Sequence, residues 1–133
     1  MYEKISVATR SRSELVDITA LVQDAVRKNG AQSGVCFVYT PHTTSGIMIN
    51  ENADPDVAAD IGKFLEKLVP KDKNFRHSEG NSDAHIKSCL CGNSRVVFIE
   101  EGGLRLGRWE GIYLAEFDGP RNREVWVKII KDK

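Results

Sequence analysis

The 133-residue sequence is short of several residue types and has no long apolar run. No apolar stretch approaches the roughly 18 residues that a membrane-spanning helix needs, so no membrane association is expected. The N-terminus, Met1-Tyr2-Glu3-Lys4-Ile5, has no basic segment followed by an apolar one, so no secretory signal is read there. Charge of one sign is missing too, with Lys plus Arg and Asp plus Glu at 19 each. Without a basic excess the chain lacks the electrostatic footprint of a nucleic-acid binder. Cysteines number three, at Cys36, Cys89 and Cys91. An odd count with no secretion signal points to a reducing, cytoplasmic setting. Cys89-Leu90-Cys91 has no second pair to complete a zinc knuckle, and the three thiols are expected to be buried and structural. Internal repeats, linkers and low-complexity tracts are absent, and a hydrophobic content of 41% suffices for one core. A single domain over residues 1–133 is expected.

What is present has clear periodicity. Lys4–Thr9 alternates as a strand, and Leu15–Ile18 extends the sheet. Thr19 caps a helix to about Lys28, with Leu21, Val22, Ala25 and Val26 on one face and Asn29-Gly30 as its stop. Gly34–Thr40 is a β-prone, nearly continuous apolar run, expected as a central strand, and Gly46–Asn50 is a shorter strand. Asp54-Pro55 supplies an N-cap and a first-turn proline for a helix through Val57, Ile61, Phe64, Leu65 and Leu68. The polar segment Pro70–Asn81, with Lys71, Lys73, Arg76 and His77, is read as a surface loop. Ser82–Leu90 is expected as a short helix with Ala84, Ile86 and Leu90 inward. Arg95–Glu100, Ile112–Phe117 and Glu124–Ile130 are strands. Six or so strands with two or three helices predict an α+β fold, an antiparallel sheet or sandwich core.

The chain owns only three histidines, and each lies in a polar segment. Imidazole can act as base, acid or metal ligand near neutral pH, so convergence of His42, His77 and His85 would make a titratable site able to take a divalent metal such as Mg or Zn. His42, in Pro41-His42-Thr43-Thr44-Ser45-Gly46, either holds a phosphate or metal-bound water with its flanking hydroxyls or is a turn residue bonded to backbone. His85, one turn inside the helix that Gly80-Asn81-Ser82-Asp83-Ala84-His85 begins, either serves an anion at that helix start or ligates metal with His77. Asp54 and Asp56 are explained by capping. Glu51 is not, which makes it a candidate ligand or base. Asp56 and Asp60 share a helix face read as solvated. The segment Gly102–Gly111 holds four glycines and is not a Walker A loop; its Arg105 and Arg108 are within reach of a phosphate, and Trp109 is read as a core or subunit-contact anchor. Glu116-Phe117-Asp118-Gly119-Pro120-Arg121 is either a turn with a surface ion pair or one in which Arg121 is a planar phosphate fork.

These segments together resemble the YjbQ-like family, whose members are also called secondary thiamine-phosphate synthases. Pro41–Ile47, Ile49-Asn50-Glu51 and Asp54-Pro55 resemble its first signature. Gly80–His85 is similar to the second, and Leu106–Ile112 with Glu116–Arg121 is similar to the third. Glu110 departs from the glutamine expected after the tryptophan. The resemblance implies a compact α+β fold, a homotrimer, and His42, His77 and His85 near one cleft. It implies joining hydroxymethylpyrimidine diphosphate to thiazole phosphate with loss of pyrophosphate. In that reading His85 is the acid–base group, oriented by Glu51 or Asp118. Thr43, Thr44, Asn81, Arg105 and Arg121 bind the phosphorylated small-molecule substrate. The competing readings are a metal-dependent hydrolase using histidine-bound water and a trimeric metal- or metabolite-binding protein without turnover.

Overall fold

The computed structural model describes residues 1–71 and 74–133. Its elements run β1 (Glu3–Ala8), β2 (Glu14–Asp17), α1 (Thr19–Asn29), β3 (Ser33–Tyr39), β4 (Ser45–Glu51), α2 (Pro55–Leu68), α3 (Ser82–Cys91), β5 (Ser94–Glu100), β6 (Gly103–Arg105), β7 (Glu110–Glu116) and β8 (Asn122–Lys131). One sheet has the order β1-β8-β3-β5-β6 and a second the order β2-β7-β4. Every pairing is antiparallel. The α+β class is therefore as the sequence predicts. Two details differ from the sequence reading: β2 joins the second sheet instead of extending the first, and the three-residue β6 follows Gly102, whose φ of +79° suits a glycine turn.

The two sheets close on one core. Cys36, Val38, Val97, Val125 and Val127 from the large sheet meet Ile47, Ile112 and Leu114 from the small one, with Val22, Ala25 and Val26 of α1 sealing it. Alternation along β3, β5 and β8 turns every second residue to the other face, as a period of two requires. β7 is buried along Gly111–Glu116 because it is covered on both faces. A smaller cluster of Ala84, Ala115 and Phe117, flanked by Leu15, Met48, Leu65 and Cys91, joins the small sheet to α2 and α3. Among the described residues no helix is long and apolar enough to cross a membrane.

Each helix obeys a local rule, with one exception each in α1 and α3. Asp54 caps α2 by accepting from the Asp56 amide, and Pro55 follows at the first helical position. Gly30 ends α1 in the left-handed region. Thr19 is not the cap of α1 but its first residue; Asp17 accepts from the Thr19 amide and hydroxyl, while that hydroxyl accepts from the Ile112 amide. α3 buries Asp83, Ala84, Lys87 and Ser88, and leaves Ile86 and Leu90 exposed. The inward reading of Ile86 and Leu90 is thus overturned: the helix faces partners that can satisfy charge. The loop from Pro70 to Asn81 is irregular where described, and Lys73 lies outside the described residues.

Candidate functional site

Two of the histidines line one cavity of about 500 Å³, with Thr43, Ser88, Cys89, Gly92 and Asn93. The β3–β4 connection delivers His42 and Thr43, and α3 delivers His85, Ser88 and Cys89. Close packing of α3 on β4 fixes their relation. The Ser88 hydroxyl donates to the Ser45 carbonyl at 2.6 Å, and a Cβ on Gly46 would stand 2.6 Å from Cys91 Sγ. Glycine at 46 is therefore a condition for the helix to lie there. His77 reaches the same place from the Pro70–Asn81 loop, its ring edge-on to His85 with centroids 5.5 Å apart.

The histidines differ in their bonding. His42 Nε2 accepts from the Glu124 amide at 2.9 Å, so that nitrogen carries no proton. Burial first, and then the charge of Arg123, hold the His42 imidazole below its ordinary value. His77 Nε2 lies 3.8 Å from Glu79. Among the described residues no three His, Cys, Asp or Glu side chains stand where they share a metal ion. With His42 Nε2 engaged by backbone, the three rings do not fit a three-histidine metal centre in this arrangement.

The remaining candidates divide. Asn81 precedes α3 and its carbonyl accepts from the His85 amide at 3.3 Å. Its side-chain amide donates to Asp118 Oδ2 at 2.8 Å, and the same oxygen accepts from Arg121 at 3.0 Å. Arg121, Asp118 and Asn81 thus form a chain of contacts ending at the start of the helix that carries His85. Asn81 Oδ1 is buried without a partner among the described residues. Thr43 is exposed on the cavity wall.

Three candidates are elsewhere. The Thr44 hydroxyl is buried and accepts from Arg123 at 2.8 Å, so it supports the core and not a phosphate. Glu51 sits at the far end of β4, roughly 20 Å along the strand from Ser45. It faces Glu110 across the ladder and is out of reach of His85. Arg105 lies on the edge strand opposite Phe98, roughly 13 Å along β5 from Ser94, and pairs with Glu100. Trp109 is exposed with Arg108 over its ring at 4.8 Å. Glu110 Oε1 accepts from the Gly107 amide at 2.7 Å, a bond that a glutamine carbonyl would make equally well.

Cysteine burial is also uneven. Cys36 is fully buried and burial pushes its thiol up to about 11. Cys91 is likewise pushed up to about 11 by burial. Cys89 is exposed, on the cavity wall, which corrects the expectation of three buried thiols.

The sequence reading missed the ionic groups beneath the site. Glu116 and Arg123 are a buried pair: Arg123 Nε donates to Glu116 Oε1 at 2.9 Å and Arg123 Nη2 bonds both Glu116 Oε2 and Thr44. Thr9 and the Asp118 amide complete the shell around Glu116. Burial works to raise the Glu116 carboxyl, but Arg123 and these donors hold it below its ordinary value. Arg12 grips both oxygens of Asp83 at 3.0 and 3.1 Å, and Lys87 donates to Asp83 Oδ2 at 3.2 Å. Asp83 and Lys87 are four apart on a helix, and that i,i+4 spacing was the available signal.

An antiparallel α+β domain with a histidine-lined cavity between a β3–β4 connection and a short helix defines the class of protein. The chain belongs to the YjbQ-like (UPF0047) family, which it matches over residues 3–132. It is 54% identical over 133 residues to a UPF0047 protein of Methanocaldococcus jannaschii, covering 100% of this chain and 96% of that one. To UPF0047 protein YugU of Bacillus subtilis it is 44% identical over 131 residues, covering 98% and 99%. The crystal structure of a YjbQ/UPF0047 family protein from Clostridium acetobutylicum superposes with a TM-score of 0.94 at 52% identity, covering 96% of this chain and 99% of that one.

Proposed function

We propose that the protein is a small cytoplasmic transferase of the secondary thiamine-phosphate synthase type, joining hydroxymethylpyrimidine diphosphate to thiazole phosphate. The observation that carries the reading is the cavity lined by both His42 and His85, with the His77 ring at right angles to that of His85. In the reaction the thiazole nitrogen attacks the pyrimidine methylene carbon, the C–O bond to pyrophosphate breaks, and pyrophosphate leaves. His85 gives a proton to the departing pyrophosphate oxygen, and His77 packs at right angles against the His85 ring and holds its orientation. Arg121, held by Asp118 beside Asn81, bears on the phosphate oxygens together with the Thr43 hydroxyl. Asp118 orients Arg121 and Asn81, and its path to His85 runs through the Asn81 carbonyl.

The hydrolase reading, with a water on histidine-bound metal, would need His42 to surrender the Glu124 amide. The trimer reading has its own support. The outer face of the large sheet carries Val35 between Phe98 and Ile130, and Phe37 across from Val96, with Val96, Phe98 and Ile130 at least half exposed. A patch of this kind marks an association surface, and we place the contact between three copies of the chain there. Ile112 plays no part in it, being fully buried in the core.

The test is a coupling assay with the two phosphorylated precursors, following pyrophosphate release and thiamine phosphate formation. Wild type should couple, and His85→Ala should lose about 10²–10⁴ in rate while circular dichroism stays unchanged. Full activity in His85→Ala would remove the catalytic assignment. Absence of coupling in the wild type would leave the metabolite-binding reading in its place.

A further inference from the structure

The wall of the histidine cavity divides into groups already engaged by the fold and groups left for a ligand. Its lining carries no carboxylate among the described residues. Two backbone acceptors on it are taken: the Gly92 carbonyl accepts from the Ile47 amide at 3.0 Å, and the Asn93 carbonyl from the Thr40 amide at 2.9 Å. The Ser88 hydroxyl gives its proton to the Ser45 carbonyl. The His42 ring is different, because one of its two nitrogens is committed and the other is not.

His42 Nε2 accepts from the Glu124 amide at 2.9 Å, so in the neutral ring the proton sits on Nδ1. Among the described residues no protein acceptor reaches Nδ1, and that atom is not sealed from solvent. The two nitrogens of an imidazole point in divergent directions. With Nε2 turned to the backbone of β8, the Nδ1–H edge is the one left to the cavity that the ring lines. The carboxylates around the ring are bonded elsewhere. Glu124 Oε1 accepts from Trp126 Nε1 at 2.8 Å, and Glu116 is held by Arg123, Thr9 and the Asp118 amide. Burial, with the charges of Arg123 and Arg121, disfavours a second proton on the ring, against the opposite pull of Glu124 and Glu116. A neutral ring arranged in this way has a proton to offer at Nδ1 and no lone pair free for a metal or for a proton.

We propose that His42 serves this site as an uncharged hydrogen-bond donor, its Nδ1–H held toward an oxygen of the departing diphosphate, and not as an acid, a base or a metal ligand. The identity of the ligand rests on the transferase reading, which this role deepens: proton transfer falls to His85, while His42 binds oxygen without changing its own charge. The test uses the full chain, isotope-labelled at the histidine ring nitrogens, with inorganic pyrophosphate as the probe. At about pH 7.5, where the ring is neutral, NMR should find the His42 proton on Nδ1 and Nε2 bare. Pyrophosphate should then move the Nδ1 resonance saturably. Neither reading needs a variant. By calorimetry, His42→Ala should weaken pyrophosphate binding about tenfold or more, the worth of a hydrogen bond to a charged group. The ratio of the two affinities should hold from about pH 7 to 8.5, because a neutral donor has no charge to lose there, whereas an imidazolium would lose its advantage. Taking the ratio at each pH cancels the ionisation of pyrophosphate itself. The proposal is overturned by a proton on Nε2, by pyrophosphate that leaves Nδ1 unmoved, by equal affinity in His42→Ala, or by a ratio that falls towards one at the higher pH. A wild type that binds pyrophosphate through His42 and yet couples nothing overturns the transferase reading and upholds the donor role.

Discussion

At the residue scale the buried charges decide more than the exposed ones. Arg123 and Glu116 are 2% and 1% exposed and satisfy one another, with Thr9 and Thr44 filling the remaining sites. Arg123→Leu should therefore destabilise the fold by about 3–5 kcal/mol, read by urea unfolding, because Glu116 would remain buried without its cation. Asp118 and Arg121 make a half-exposed pair, and Arg121→Lys should cost little stability while weakening substrate binding, seen as a raised KM. His42 makes a different prediction. Its imidazole is held below the ordinary 6.5 and accepts from the Glu124 amide, so protonation must break that bond. The folded state binds this proton less readily than the unfolded one, so the His42 contribution is present above about pH 6.5 and is lost as pH falls through the folded value. NMR titration of the His42 ring should show a midpoint below 6.5, and a midpoint at or above it would remove the assigned hydrogen bond.

At the element scale, the cap of α2, the stop of α1 and the buried side of α1 were legible, and the start of α1 and the face of α3 were not. Asp54-Pro55 and Gly30 act locally, through their own amides and φ angles, so their roles followed from residue type. The orientation of α3 did not, because its buried side is polar. Ile86 and Leu90 suggested an inward apolar face, but Arg12, 71 residues away from Asp83 in sequence, turns Asp83 and Lys87 inward instead. α2 gives a test of how loosely it lies on the sheet. Gly62 faces open space, so Gly62→Ala should stabilise the protein by about 0.5–1 kcal/mol through helix propensity alone, read as a raised Tm. A loss of stability would mean that α2 packs down on the sheet at that position.

At the scale of the whole molecule, the large sheet has one face in the core and the other bare. Register aligns Ile130, Val35 and Phe98 across three strands, and Phe37 beside Val96. Phe98→Glu should convert the proposed trimer to monomer in sedimentation without unfolding the chain, since Phe98 is 66% exposed within one copy. A trimer that survived this change would place the contact elsewhere. The acid limit also belongs to this scale. Asp83 and Glu116 are both held below their ordinary values, so their contribution is present above roughly pH 4–4.5 and is lost as pH falls through the folded values. Urea midpoints measured against pH should fall on that side, and a Glu116→Gln variant should show a shallower fall.

The division between chain and fold follows from range. Alternation in Val125–Ile129, the apolar run of β3 and the capping of α2 are properties of neighbouring residues, and with the three family signatures they carried the α+β class and the family. The surroundings of each histidine were legible only as polarity. Placement was not, because it depends on contacts between residues far apart in sequence. The packing of α3 on β4 through Ser88 and Gly46 brings His85 to His42, while the extended run of β4 takes Glu51 away from both. Antiparallel pairing of β5 with β6 leaves Arg105 on a distant edge, and the turn that takes the chain from β7 in one sheet to β8 in the other buries Glu116 with Arg123. Strand direction and register set those distances, and both are fixed by which strands pair, a choice made only when the whole core closes.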